Sequence, residues 1–325
     1  MIKNKIKNSF LIFKSRGFKC LFLAIYNLSL SSFLRYAMGF KLFKKKVFNF
    51  YLYLDLKDNG ISRSLILFGE REIDQKFIIE KTLKKSMNVF DIGANLGYYV
   101  LLEKKKIKNE GKILAIEPSP HNIQILKKNL KLNKISKEEV PILQGAISNS
   151  DGKKKIFLSK QTNLNTFHDF GSAKKELTGK KIDVNIFKIS SISKKYFKPD
   201  FIRMDVEGHE VEIIEGMLSS IKNGELKPVI CFEPHISCYN SKHNFKNVLK
   251  KLFNYGYKTK YLSSNSINGT YKIKSLNKSY KPFSVVKSDG EQRTIFKNIK
   301  NEDCIDIVTQ IGGGRTVLLS PVEEY

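Results

Sequence analysis

Tryptophan is absent from the 325-residue chain, and cysteine is scarce. Its four cysteines, Cys20, Cys231, Cys238 and Cys304, show no Cys-x-x-Cys spacing. That argues against a cysteine-based zinc site and a disulfide framework, and makes a reducing compartment, the cytoplasm, the expectation. Acids are missing from residues 1–50, which hold 11 Lys or Arg. Apolar runs are short as well. The uncharged stretch from Cys20 to Leu34 is fifteen residues with Asn27 and three serines, too brief and too polar to span a bilayer comfortably. A signal peptide fits poorly, because the basic region before that stretch is long and cleavage-site chemistry is weak. No internal repeat and no long linker interrupts the chain.

Basic residues, by contrast, are abundant. Lys and Arg number 58 against 31 acids, a net charge of +27. Removing the acid-free first fifty leaves 47 minus 31, or +16, for the remainder. A basic surplus suggests a polyanionic partner. A genomic preference for Lys, Asn and Ile also accounts for the diffuse part, but not for the acid-free N-terminus. There, aromatics and basics interleave through YAMGFKLFKKKVFNF, residues 36–50. Two readings stay open for residues 1–46: a helix lying on an anionic membrane surface at the inner face, or a helical appendage packed on the main domain.

Periodicity divides the rest. Residues 51–80 read as a hairpin and lead-in, with the hairpin turn expected at Lys57-Asp58-Asn59-Gly60. From 81 to 325 strands and helices alternate: strands at 87–93, 112–118, 140–148, 200–208 and 228–235, with helical patterns between several of them. Ser119 and Pro120 carry the signature of a helix start. The remainder, 257–325, reads as further strands and turns, with the glycines of IGGGR at 311–315 expected in a hairpin turn. The fold class is therefore α/β, Rossmann-like: a mainly parallel sheet with helices on both faces, plus the N-terminal extension.

In such folds ligands bind at the carboxyl ends of the strands. The first strand ends in FDIGANLG, residues 90–97. Gly93 and Gly97 admit close backbone approach, and Asn95 tolerates a left-handed turn. The spacing is not GxGxxG, and no Walker lysine follows. Asp91 at the strand tip would repel a pyrophosphate, but it suits the ammonium of S-adenosylmethionine (SAM). Glu117, twenty residues past Gly97 at the tip of the second strand, is placed to accept from both ribose hydroxyls. Gln144, Gly145 and Ala146 end the third strand where an adenine would lie. Asp205 ends the fourth, near the expected position of the donor methyl.

Together these residues resemble the FkbM family of SAM-dependent methyltransferases. The resemblance rests on VFDIGANLGYYVLL, ILAIEPSP, QGAISNSDG, DFIRMDVEGHEVEIIEGM and ICFEPH, in that order across roughly residues 50–240. It implies a class I methyltransferase fold and O-methylation of a hydroxyl on a sugar, glycan, glycolipid or natural product. A hydroxyl acceptor needs a general base, for which Glu207, Glu233 and His235 are the candidates. His209 is expected to face solvent at a helix start. The acids and histidines from Asp205 to His235 also suit a divalent metal, although acids favour helix N-termini for dipole reasons alone, and a metal is not the favoured reading. Three rivals are weaker. An RNA methyltransferase suits the charge, but none of the eight prolines forms the Pro-Pro pair common in base-nitrogen methylating motifs. A non-catalytic membrane-associated binding protein conflicts with the intact glycine loop, and a nicotinamide dehydrogenase conflicts with Asp91.

Overall fold

The computed structural model describes residues 2–170 and 172–322; of the segments read above, Met1, Gly171 and 323–325 lie outside the described residues. Two helices open the chain, α1 (Ile2–Arg16) and α2 (Phe18–Tyr36), joined at Gly17 with φ 84°. The strands β1 (Leu42–Val47) and β2 (Phe50–Asp55) pair antiparallel across the turn at Phe48 and Asn49. The hairpin thus lies one strand earlier than the turn signal implies. Lys57-Asp58-Asn59-Gly60 launches a helix instead, α3 (Ile61–Phe68). The reason is local: Asp58 accepts from the backbone N–H of Gly60 at 3.0 Å and of Ser62 at 2.9 Å, which satisfies donors that open a helix. The helix that both readings of the N-terminal segment place there likewise gives way, from Leu42 onward, to β1.

After α4 (Ile73–Thr82) come β3 (Val89–Ile92), α5 (Tyr98–Ile107), β4 (Ile113–Glu117), α6 (Pro120–Leu132) and β5 (Ile142–Gln144). Ser119 caps α6 by accepting from Asn122 N–H, with Pro120 in the first turn. The strand expected over 140–148 breaks at Gly145, and β6 (Ala146–Ile147) joins a separate three-stranded sheet with β7 (Gly152–Ser159) and β8 (Leu177–Phe187). A Cβ at Gly145 would come within 2.8 Å of the Asn185 carbonyl, so the chain changes sheets where only glycine fits. The main sheet resumes after α7 (Ile189–Lys195) with β9 (Phe201–Met204), α8 (Glu210–Lys222), β10 (Val229–Phe232), α9 (Phe245–Asn254) and β11 (Tyr257–Ser264). It finishes with α10 (Ile267–Leu276), β12 (Pro282–Ser288), β13 (Glu291–Lys297), α11 (Asn301–Asp306) and β14 (Gly314–Pro321). Gly312 and Gly313 form a turn from a short π-helical segment into β14, not a hairpin.

The nine strands run in the order β12-β13-β11-β14-β10-β9-β3-β4-β5. From β10 to β5 all pairings are parallel; β14, β11, β13 and β12 pair antiparallel. Both faces are covered. Val89 and Phe90, adjacent on β3, belong to opposite hydrophobic cores, and both are fully buried. From β3 the order proceeds outward to β4 and β5, then returns to β9 and β10 on the other side. That reversal opens a crevice at the carboxyl ends of β3, β4 and β9. Among the described residues no helix is long and apolar enough to cross a membrane.

Candidate active site

An open cleft of about 810 Å³, open solvent included, lies at that reversal. Its floor is the turn after β3. Gly93, Asn95 and Gly97 all take positive φ, 79°, 49° and 90°, so Asn95 does occupy the left-handed conformation its side chain tolerates. A Cβ on Gly93 would stand 2.3 Å from the Asp205 carbonyl oxygen, which requires glycine where this turn passes the end of β9. Glu117 lines the cleft at the tip of β4. Its carboxylate accepts from Asn95 N–H at 2.8 Å, Ser119 N–H at 2.9 Å and Asn122 Nδ2 at 3.0 Å. A carboxylate has roughly four acceptor sites, so capacity for a further donor remains. Burial pushes its pKa up to about 7, with those three hydrogen bonds opposing.

Asp91 is arranged differently from the direct grip expected of it. Its side chain is sealed from solvent, and Oδ1 accepts from Arg203 Nη1 at 3.1 Å. Arg203 Nη2 reaches Asp205 Oδ2 at 3.1 Å, and Nη1 also approaches the Gly93 carbonyl at 3.3 Å. Arg203 and Asp205 line the cleft, and Asp91 stands behind them. Ala146 and Gly145 also line it, together with Phe167 from the β7–β8 connection. Gln144 is exposed and faces a separate depression with Ser119 and Lys153.

The three base candidates differ in their surroundings. His235 is held by two carboxylates, Glu207 Oε2 at 3.3 Å from Nε2 and Glu210 Oε1 at 2.8 Å from Nδ1. Burial works against its charge, but Glu207 and Glu210 raise its pKa well above the ordinary value, which favours the protonated ring. Glu233 pairs with Arg315, which also meets Glu72 Oε1 at 3.0 Å; Glu72 in turn binds Arg71 and the Tyr99 hydroxyl. Glu207, with φ 50°, brings a carboxylate oxygen within 4.8 Å of both Asp205 and His235. The broader acid–histidine metal cluster does not assemble as a whole: Glu233 is occupied by Arg315, and His209 points elsewhere. His209 is also buried rather than solvent-facing, because β6, Phe167 and α8 close around it, with Ser148 Oγ at 3.1 Å.

A family model described as the methyltransferase FkbM domain matches residues 91–259, just over half of the chain and all of this cleft's strand ends from β3 to β10. The chain belongs to the FkbM methyltransferase family. Among curated relatives, methyltransferase sdnD of Sordaria araneosa is 29% identical over 162 residues, 40% of this chain and 60% of that protein. Ribosomal RNA large subunit methyltransferase E of Buchnera aphidicola is 37% identical over 106 residues, 33% of this chain and 43% of that protein. The chain thus spans about half the length of these relatives. A crystal structure of methyltransferase FkbM from Methylobacillus flagellatus aligns with 15% identity and a TM-score of 0.38, covering 72% of this chain and 53% of that one.

The cleft of this FkbM-family chain fits SAM by its donor set. Asp205 beside Arg71 and Arg203 offers both charges to a zwitterion, and Asn163 Oδ1 on the wall is a buried acceptor without a partner. Sequence reasoning missed Arg203, Arg71, Glu72 and Arg315. A signal for Arg203 was present, since an arginine inside the apolar run FIRM needs a buried anion. For Arg315, brought to Glu72 across 243 positions, no local signal existed.

Proposed function

We propose that this FkbM-family protein transfers a methyl group from SAM to a hydroxyl of a sugar, glycan, glycolipid or natural product. The observation that carries the reading is Glu117, a nearly buried carboxylate with acceptor capacity left at the tip of β4, facing a glycine turn with no phosphate-binding lysine. SAM, when bound, supplies an activated methyl on its sulfonium. The chain's part is alignment and proton handling. Glu117 accepts from the ribose hydroxyls, Asp205 and Arg203 or Arg71 meet the amino-acid end, and Ala146 with Phe167 provides an apolar seat for the base. Glu207 is the general base, and His235, tied between Glu207 and Glu210, orients it.

The N-terminal helices support an acceptor at a membrane surface. Phe10, Phe13, Phe18, Phe22, Phe33 and Tyr36 are exposed on α1 and α2, beside lysines and arginines with no acid among them. Apolar rings with a purely basic frame match an anionic bilayer. α2 also packs on α3 through Asn27, whose Nδ2 reaches the Leu67 carbonyl at 3.3 Å, and this packing leaves the exposed rings free to meet a bilayer. A second reading, RNA methylation, has the +27 charge and the ribosomal RNA relative in its favour.

Labelled SAM incubated with the protein and separated lipid, glycan, small-metabolite and RNA fractions distinguishes the two. Label in a hydroxyl-bearing lipid, glycan or metabolite supports the proposal. Label in RNA, with RNA binding that weakens steeply with salt, replaces it with the second reading.

A further inference from the structure

Three of the chain's five histidines converge on one carboxylate, although they lie 75 positions apart in the extreme (168 to 243). His209 and Glu212 stand one helical turn apart at the start of α8, on the same face. His168 arrives from the β7–β8 connection, and His243 from the segment before α9. The His209 Nδ1 and His243 Nε2 atoms lie 3.2 and 3.0 Å from the same oxygen, Glu212 Oε2. His168 places a nitrogen within 4.8 Å of both the His209 and Glu212 donors, and its ring centroid is 4.6 Å from that of His243.

Two of these groups have no hydrogen-bond partner. His209 is 1% exposed and His168 8%, yet His209 Nδ1 and His168 Nε2 are both buried and unpaired. The 3.2 Å approach of His209 to Glu212 lacks hydrogen-bond alignment. Buried imidazole nitrogens without partners are costly unless something occupies them. The opposite nitrogens of two rings are already held: His209 Nε2 by Ser148 Oγ at 3.1 Å, and His243 Nδ1 by the Cys238 carbonyl at 2.6 Å. Outer contacts of this kind orient metal-bound histidines. Donor separations also agree. A tetrahedron with metal–nitrogen bonds of about 2.05 Å has edges of about 3.3 Å, close to the two shortest separations.

We propose that His168, His209 and Glu212, with His243 holding Glu212 Oε2 by a 3.0 Å hydrogen bond, form a binding site for a divalent first-row transition metal of the zinc class. Two imidazoles and one carboxylate match that class rather than magnesium or calcium, which take oxygen ligands. The role of the ion is structural. It pins the β7–β8 connection and the segment before α9 to α8. Gly208 makes the closure possible, because a Cβ there would come 2.7 Å from Cys238 Cβ and 3.4 Å from the His168 ring. His209 also lines the cofactor cleft next to Phe167, so the ion braces that wall. This set shares none of the base candidates, and it stands whether or not the proposed acceptor is correct.

The test uses the full chain, stripped with a chelator and titrated with Co²⁺ and then Zn²⁺. The expected result is one Co²⁺ per chain with the intense visible bands of tetrahedral coordination, displaced by Zn²⁺, and a higher melting temperature with metal. His168→Gln combined with His243→Gln, and separately Glu212→Gln, should weaken Co²⁺ binding at least 100-fold. Binding of S-adenosylhomocysteine reports that each variant is folded. Absence of a stoichiometric Co²⁺ spectrum in the wild-type chain overturns the proposal, as does a spectrum unchanged in the variants. Should the variants fail to fold, X-ray absorption of the zinc-loaded wild-type chain decides: a mixed nitrogen and oxygen shell of four supports the site, and an all-oxygen or sulfur-containing shell overturns it.

Discussion

Asp91 and Arg203 are direct partners in the ladder between β3 and β9, and their side chains meet at 3.1 Å with neither appreciably exposed. The cofactor cleft is therefore built on an internal ion pair, with Arg203 at the surface of the cleft and Asp91 beneath it. Removing one member of a buried pair leaves the other charge uncompensated. Arg203→Met should destabilise the protein by about 3–5 kcal/mol. Adding Asp91→Asn should restore much of that loss. Urea unfolding of the wild type and these two variants checks this, and an Arg203→Met variant as stable as wild type contradicts it.

Glu117→Gln should weaken S-adenosylhomocysteine binding by on the order of 1.5–3 kcal/mol, the worth of a charge-assisted hydrogen bond. With a pKa of about 7, raised from an ordinary 4.5 by burial, the wild-type carboxylate gains a proton as pH falls below neutrality. Affinity should accordingly decline below pH 7 and level off above it, and the glutamine variant should flatten that profile. The stability linkage has the opposite sign. A raised folded-state pKa means that stability from this group is present below about 4.5 and lost as pH rises through 7. Calorimetric titration from acid to alkaline pH measures the first effect, and thermal melts the second.

Glu103 on α5 is fully buried, and neither carboxylate oxygen has a partner. Burial pushes its pKa well above the ordinary value, and the nearby Asp91 charge adds to the shift. The contribution to stability is thus largest in acid and is lost as pH rises through the folded-state value. Glu103→Gln should raise the melting temperature at pH 8 by a few degrees, at about 2–4 °C per kcal/mol, and change it little at pH 4. Equal effects at both values would refute the assignment.

Glu207→Gln should lower turnover by about 10²–10⁴-fold in whichever fraction accepts label, while S-adenosylhomocysteine affinity stays near wild type. A variant with full turnover removes Glu207 from the role of base.

Serine at Phe10, Phe13, Phe18 and Phe22 should abolish flotation with anionic vesicles without changing cofactor affinity, because these rings are exposed. Cutting after residue 46 is a poorer test, since it removes most of β1, the partner of β2. Flotation that persists in the serine variant disproves the membrane contact.

Much of the core was legible because its signals are local. β3, β4, β9 and β10 are short, predominantly apolar runs, and Ser119-Pro120 marks the start of α6. The glycine turn was readable because Gly93, Asn95 and Gly97 are residue types suited to positive φ. The hairpin was misplaced because Asp58 offers its carboxylate to the following amides and starts α3, a competition that alternation of apolar residues does not reveal. Gly145 broke a strand that hydropathy alone would continue, since the constraint there comes from Asn185, forty positions away.

Composition and short-range pattern were sufficient for the α/β class, the glycine turn and the place of Glu117 at a strand tip, because strand period, turn conformation and strand ends are properties of neighbouring residues. Charge partnership was not. Which carboxylates flank His235, which cation meets Asp91, and which histidines surround Glu212 depend on side chains from distant elements meeting in a low-dielectric interior. There, proximity sets protonation, and only the folded chain creates that proximity.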